Sequence, residues 1–345
     1  NSLTKSGMTR NFISLRGQDP QFVANLGKRA LELKHGGVTE ALRGKLLAMI
    51  FLNPSLRTRV SFAAAMNRFG GQAIELAPGQ GGWDLEFRLD VPMDGTKPEH
   101  VKDEARVLSR YVDCIGIRSF AGMRSLQEDL AEEMLTAFET YATKPIVNLE
   151  SAMEHPCQAV ADTVTIAERQ NNPGSGALPQ KFKRMVVMWA PHIKPLPLAV
   201  PHSAILAGAY SGLDVCVCHP AGYEVADSFL SEAERVCGHF GKKVEVTQAR
   251  ELMDGDVVYA KSWGAPRLYG DLPKQQQEFS QYRNFLLQPS ELPRHSMLMH
   301  CLPVRRDVEV SGAALDSEQS VIIDQAENRL WAQAAILEWI LSEGV

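Results

Sequence analysis

The chain has 345 residues, 45% of them hydrophobic and 22% charged, with a formal net charge of −5. That length supports a large core and about two domains, and the mild acidity argues against nucleic acid as the main partner. No apolar run is long enough to span a bilayer and no signal peptide is visible, so a cytoplasmic location is expected.

Apolar runs alternate with amphipathic stretches almost throughout. The first half predicts strands near 46–52, 72–76, 112–117 and 145–149, and helices near 20–34, 57–69, 99–111 and 125–141. The second half predicts strands near 184–189, 213–218, 243–247, 256–260 and 297–300. Its helices are expected near 157–170, 200–211, 225–239 and 275–286. Such alternation implies an α/β fold with two domains, each a parallel sheet flanked by helices. A polar, turn-rich loop covers Gln170 to Gly176. It follows the helix that begins near Pro156, and that helix is the expected hinge. A last helix, 324–343, sets Leu330, Ala334, Leu337 and Leu341 on one stripe with Ile336 and Ile340 beside it, suited to return onto the first domain. No repeat is visible. The six cysteines (Cys114, Cys157, Cys216, Cys218, Cys237, Cys301) form no C-x-x-C pair, so buried free thiols rather than a metal site are expected.

Four stretches carry chemistry. The first is Phe51 to Phe62, where an apolar strand meets a Pro54-Ser55 turn and then a helix. A strand–turn–helix aims free N–H groups and the helix dipole at whatever sits above the turn. Ser55, Arg57, Thr58, Arg59 and Ser61 crowd the same turn and suit an anion such as phosphate. An ordinary cap with solvated arginines is the plain alternative. The second is Ile117-Arg118-Ser119, an arginine directly after an apolar strand, fit for bidentate oxyanion recognition or simply a solvated strand end. The third is His155-Pro156-Cys157-Gln158, with Asp162 and Thr165, at a strand end and opening a helix with proline. His155 suits a developing oxyanion and Gln158 a small amide, although a histidine at a helix start is often only a cap. The fourth is His300-Cys301-Leu302-Pro303, again at a strand end. Its carbonyls are free to accept from a ligand because the chain beside a proline leaves the ladder. A nucleophilic Cys301 lacks an obvious base, and a buried thiol is the simpler reading. No G-x-G-x-x-G follows a strand, which argues against a dinucleotide-binding enzyme.

In this order, Ser55-Leu56-Arg57-Thr58-Arg59, His155-Pro156-x-Gln158-x-x-x-Asp162-x-x-Thr165 and His300-Cys301-Leu302-Pro303 resemble the motifs of aspartate and ornithine carbamoyltransferases along essentially the whole chain. The resemblance implies a carbamoyl-phosphate domain (1–154 plus 324–345), a second-substrate domain (155–323), a homotrimer with sites between subunits, and neither metal nor cofactor. By resemblance, Ser55, the Leu56 backbone, Arg57 and Thr58 would hold phosphate. Thr58, Arg118 and His155 would polarise the carbonyl oxygen. Gln158 and the Cys301 and Leu302 carbonyls would hold the carbamoyl amide, and Arg329 would complete the site.

The acceptor amine is read elsewhere. Ornithine enzymes carry an Asp-x-Trp-x-Ser-Met-Gly loop whose acid pairs the α-ammonium. Here the matching stretch is Tyr259-Ala260-Lys261-Ser262-Trp263-Gly264-Ala265. Lys261 would repel an ammonium and attract a carboxylate, which resembles the branch acting on N-acylated ornithine. Trp189 to Pro197 resembles that branch's proline-rich loop, which implies a deep trefoil knot, an exception to the usual rule. His192, Lys194 and Arg305 would contact the acylated substrate, and Glu150 would receive its δ-ammonium. Trp83, in a glycine-flanked loop, and Pro98 would enter the neighbouring subunit's site. In the succinyl type the Pro98 position is proline, and in the acetyl type it is glutamate, which would repel a succinyl carboxylate. The expected acceptor is therefore N-succinylornithine, with N-acetylornithine as the alternative and a non-catalytic binding protein as the remote one. Lys194, where the succinyl type tends to have Arg, His202 in place of Asn, and Glu309 in place of a Lys of some acetyl-type members are departures.

Overall fold

A computed structural model describes residues 10–37, 39–80, 82–171 and 182–342, and the loop expected over 170–176 lies outside them beyond residue 171. In chain order the first half comprises α1 (Pro20–Gly36), β1 (Leu46–Phe51), α2 (Arg57–Arg68), β2 (Gln72–Leu76), β3 (Leu85–Glu86), β4 (Glu99–His100), α3 (Val101–Tyr111), β5 (Cys114–Arg118), α4 (Leu126–Ala131), α5 (Glu133–Tyr141), β6 (Ile146–Glu150) and α6 (Pro156–Asn171). The second comprises β7 (Arg184–Trp189), α7 (Ala199–Tyr210), β8 (Asp214–Cys218), α8 (Asp227–His239), β9 (Val244–Thr247), β10 (Asp256–Lys261), α9 (Leu272–Phe279), β11 (Met297–Met299), α10 (Gly312–Leu315) and α11 (Ile322–Leu341).

Two parallel sheets organise these elements, with strand orders β2-β1-β5-β6 and β11-β10-β7-β8-β9. Their central strands are apolar on both faces because helices cover both sides. In β1, Leu47, Met49 and Phe51 point into a core shared with Phe62 and Met66 of α2 and with α6 and α11. Ala48 and Ile50 point the other way, towards Val101, Ala105 and Leu108 of α3 and Phe138 of α5. In the second sheet Cys216 and Cys218 share a face with Val186, Met188, Val258 and Ala260. All six cysteines are free and buried.

The last helix packs on α1, α2 and α6. With three neighbours it is buried on every side from Trp331 to Leu337, while Leu330 and Leu341 of the expected stripe are only half-buried. The Arg29 guanidinium ties α1 to Glu338 of α11. The helix expected over 125–141 is two helices, because Glu132 adopts a left-handed φ of 44° that ends one ladder and starts the next. Its carboxylate accepts the Met153 N–H at 3.1 Å, which ties this break to the chain just before His155. The helix expected over 275–286 starts earlier, at Leu272, where the Asp271 side chain caps it, and gives way to a 3₁₀ segment from Ser280 to Phe285 that bends at Tyr282. The helix expected over 99–111 starts at Val101, after β4. No helix among the described residues is long and apolar enough to cross a membrane.

Candidate active site

Strand ends of both sheets open onto one cavity of about 780 Å³. From the first sheet come the turn after β1, Arg118 ending β5 and Glu150 ending β6. From the second come Lys261 ending β10 and Cys301 and Leu302 just past β11. His155 and Gln158 enter from the start of α6, Arg329 from α11, and His192, Lys194 and Arg305 from loops. This placement above carboxyl strand ends is where open α/β sheets bind ligands. Every residue to which the family resemblance assigned a role lines this cavity, except Trp83 and Pro98. Those two lie on the surface, Trp83 at 71% exposure.

Thr58 is where two arginines meet. Its Oγ1 accepts from Arg329 Nη2 at 2.6 Å and from Arg118 Nη1 at 3.2 Å. Arg118 also donates to Glu150 Oε2 at 2.5 Å and lies 4.3 Å over the Phe120 ring. Both guanidiniums are buried, and each keeps an Nε–H without a partner among the described residues. Ser55 Oγ accepts the Thr58 N–H at 3.2 Å and so shapes the helix start. Arg59 does not join the cradle that its sequence neighbours suggest. It pairs with Glu75 of β2 and stacks over Phe51 at 4.3 Å, and neither it nor Ser61 lines the cavity. The reason is helical spacing: residue 59 sits two positions after 57 and points to a different side of the helix.

His155 Nε2 lies 3.4 Å from Glu150 Oε2 and 3.5 Å from Arg329 Nη2, and Nδ1 has no partner among the described residues. Burial first, then Arg329 and Arg118, holds its pKa well below the usual range, so the imidazole is neutral. A neutral ring still carries one N–H to donate. Burial pushes the Glu150 carboxyl upward, against the pull of Arg118, Arg329 and Lys261. Burial likewise lowers Arg57 and Arg329, which marks a site holding more positive charge than it can solvate. Among the described residues, Arg57, Arg118, Lys194, Lys261, Arg305 and Arg329 line the cavity, against the single carboxylate of Glu150. Anionic substrates are what such a field concentrates.

Behind Lys261 stands Glu309, 3.8 Å from its Nζ and 3.7 Å from His300 Nε2. Burial opposes its ionisation, but nearby His300 and Lys261 hold the carboxyl down at about 2. Glu309 also accepts the Arg305 N–H at 2.8 Å, and Arg305 Nε donates to His192 Nε2 at 3.2 Å. With Nε2 accepting, His192 Nδ1 donates to the Lys194 carbonyl at 2.7 Å. Leu302 has a left-handed φ of 56°, a conformation that costs a branched side chain energy. Its N–H donates to His300 Nδ1 at 2.9 Å, which fixes the bend. His202 is structural: its ring stacks on Phe229, Nδ1 donates to the Met153 carbonyl at 2.9 Å, and Nε2 accepts the Ala226 N–H at 3.1 Å.

Two contributors were not assigned roles from the sequence. Gln325 of α11 accepts the His300 N–H at 2.9 Å, and Ser203 Oγ accepts the His155 N–H at 2.7 Å. Gln325 lies four positions before Arg329 and so on the same face of α11, and that spacing is the signal that points to the first.

Residues 10–168 match the carbamoyl-phosphate-binding domain of aspartate/ornithine carbamoyltransferase, and residues 199–340 match its aspartate/ornithine-binding domain. The chain is 34% identical over 320 residues to the N-acetylornithine carbamoyltransferase of Xanthomonas campestris pv. campestris, covering 91% of this chain and 93% of that protein. It is 36% identical over 301 residues to the N-succinylornithine carbamoyltransferase of Bacteroides thetaiotaomicron, covering 87% of this chain and 88% of that one. A Glu-to-Pro mutant of N-acetyl-L-ornithine transcarbamylase complexed with carbamyl phosphate and N-succinyl-L-norvaline superposes with a TM-score of 0.89 at 33% identity, over 96% of this chain and 99% of that structure.

Proposed function

The chain belongs to the aspartate/ornithine carbamoyltransferase family and is a carbamoyltransferase, and from that premise we propose that it carbamoylates the δ-amine of an N-acylated ornithine, N-succinyl-L-ornithine by preference. The observation that carries this reading is Lys261. It stands inside the cavity, backed by Glu309, where ornithine enzymes place an acid for the free α-ammonium. A cation there favours a substrate whose α-nitrogen is acylated and whose only charge nearby is a carboxylate.

In this mechanism the phosphate of carbamoyl phosphate is held by Ser55, the Leu56 backbone, Arg57 and Thr58 at the start of α2, with Arg118 and Arg329 completing the cradle. The carbonyl oxygen faces Thr58, Arg118 and neutral His155. The amide is held by Gln158 and by the carbonyls of Cys301 and Leu302. The neutral δ-amine attacks the carbonyl carbon and a tetrahedral oxyanion forms. The bond from carbon to the phosphate oxygen then breaks, and the amine proton leaves with the phosphate. Donors fixed at the oxyanion in advance supply the largest share of such acceleration, and holding both substrates together supplies much of the rest. Glu150, freed from Arg118 as the amine enters, receives the δ-ammonium, which releases one proton to solvent to become the neutral amine that attacks.

The succinyl preference rests on Pro98. An acid at that position would face the extra carboxylate of a succinyl group, and proline removes that repulsion. The Glu-to-Pro form of the acetylornithine enzyme, crystallised with N-succinyl-L-norvaline, fits the same logic. Pro98 and the exposed Trp83 act in this reading on the site of a neighbouring copy in a homotrimer, in the cytoplasm. In this reading 1–154 plus 324–345 form the carbamoyl-phosphate-binding domain and 155–323 the acylornithine-binding domain. Incubation with carbamoyl phosphate and N-succinylornithine tests the reaction: equimolar release of phosphate and N-succinylcitrulline is expected. Phosphate release without a carbamoylated product would refute it.

A further inference from the structure

A buried cluster below the cavity joins two parts of the site that are far apart in sequence. Asp162 is fully buried on α6, one turn after Gln158. Its Oδ1 accepts from Gln158 Nε2 at 2.8 Å and from Gln325 Nε2, also at 2.8 Å. Gln325 in turn accepts the His300 N–H at 2.9 Å, at the head of the His300-Cys301-Leu302 segment. Gln158 Oε1 is buried, lines the same cavity through its residue, and has no partner among the described residues.

An amide side chain has one donor end and one acceptor end, and a half-turn exchanges them. Two NH₂ groups converging on one carboxylate oxygen leave neither amide a choice. That oxygen remains an acceptor whether or not Oδ2 carries a proton. Gln158 must therefore present its carbonyl oxygen, not its NH₂, to whatever occupies the cavity. Gln325, oriented by the same oxygen, must offer its own carbonyl to His300.

We propose that Asp162 is a positioning residue that locks the Gln158 amide with its oxygen towards the cavity, so that the site accepts a hydrogen bond from an NH₂ group and rejects the isosteric CH₃. It acts through Gln158 and Gln325 and touches no substrate itself. The discrimination is between carbamoyl and acetyl groups of nearly equal shape. Space cannot make that distinction, whereas an oriented acceptor can, because a methyl group leaves the buried oxygen unpaired. The proposal rests on the carbamoyl-transfer reading, which wild-type turnover tests separately.

The test uses two phosphonates of one skeleton, phosphonoacetamide and acetonylphosphonate, which differ as NH₂ against CH₃. Their binding to the full chain is measured by calorimetry beside inorganic phosphate. Wild type is expected to prefer the amide by about tenfold or more, as an unpaired buried acceptor implies. Asp162→Leu is expected to lower that preference by about threefold or more, the Cys301 and Leu302 carbonyls keeping the remainder, while phosphate binding stays within about twofold. Asp162→Asn keeps an acceptor oxygen and should keep the preference, and this rescue separates orientation from packing. Asp162→Ser, whose hydroxyl is too short to hold both amides, replaces the leucine variant if that one does not fold. Wild type without a preference, a folded leucine or serine variant that keeps it undiminished, or a folded asparagine variant that loses as much as the leucine variant would overturn the proposal. A wild type that transfers no carbamoyl group to an N-acylornithine would overturn the carbamoyl-transfer reading instead, which the binding ratio leaves untouched.

Discussion

Lys261→Met removes the charge that selects the amine and nearly preserves side-chain length. Lys261 is buried, with Nζ 3.8 Å from Glu309 Oε1. A unit charge about 4 Å from a substrate carboxylate gains about 4 kcal/mol at an effective dielectric near 20. Part of that offsets stripping water from the carboxylate, and the net for a charged hydrogen bond is about 1.5–3 kcal/mol. Glu309 shifts the expectation to the upper end. With Lys261 gone, this carboxyl, held at about 2 partly by the lysine, stands nearer to unopposed and repels an incoming carboxylate. The expected loss is about 100-fold in kcat/KM for the N-acylornithine, since about 1.4 kcal/mol is a factor of ten. KM for carbamoyl phosphate should stay within about threefold, because Lys261 lies across the cavity from the phosphate cradle in this reading. Steady-state rates at saturating carbamoyl phosphate, with thermal melts to confirm folding, provide the assay. If kcat/KM for the acylated amine stays within about threefold of wild type, the electrostatic reasoning fails.

Pro98→Glu should shift the kcat/KM ratio from N-succinylornithine towards N-acetylornithine, and an unchanged ratio removes proline from the selection. Arg57→Ala should raise KM for carbamoyl phosphate by about tenfold or more, the size of a lost charged hydrogen bond. Arg59→Ala should leave it unchanged, because Arg59 faces Glu75 and Phe51. Equal effects of the two would contradict the orientation of α2. Glu154 accepts the Leu15 N–H at 2.6 Å and is also bonded by the Ser14 hydroxyl, yet burial raises its pKa from 4.5 to about 7. The folded chain thus keeps a proton that the unfolded chain releases between these values. Its contribution to stability falls by about 3 kcal/mol as pH rises through that window and is flat above it. Glu154→Gln should narrow the difference in melting temperature between pH 5 and pH 8, and an unaltered difference would refute that assignment.

The sequence was most legible where chemistry is local. Ser55, Arg57 and Thr58 are adjacent at one helix start, and His155 and Gln158 share one helical turn, so a single turn of backbone fixes how each group sits. Arg118, Glu150 and Lys261 were recognisable as strand ends, which parallel sheets gather on one edge. Direction within a turn was harder to read: Arg59 resembles Arg57 in sequence, but two helical positions turn it to another side, where Glu75 of β2 pairs with it. The break at Glu132 was invisible because nothing in 125–141 is a helix breaker, and its partner Met153 comes from a later strand end. The link from Gln325 to Asp162 spans 163 positions, and no periodicity reports a contact of that range. Glu309 could be noticed as a departure, but its place behind Lys261 and His300 depends on how β10 and β11 pair.

Acceptor selectivity tests the central claim most directly. With carbamoyl phosphate saturating, kcat/KM should be highest for N-succinylornithine, lower for N-acetylornithine, and lowest for free ornithine, whose α-ammonium meets Lys261. Ornithine as the best acceptor would contradict the role of Lys261, and N-acetylornithine as the best would contradict that of Pro98.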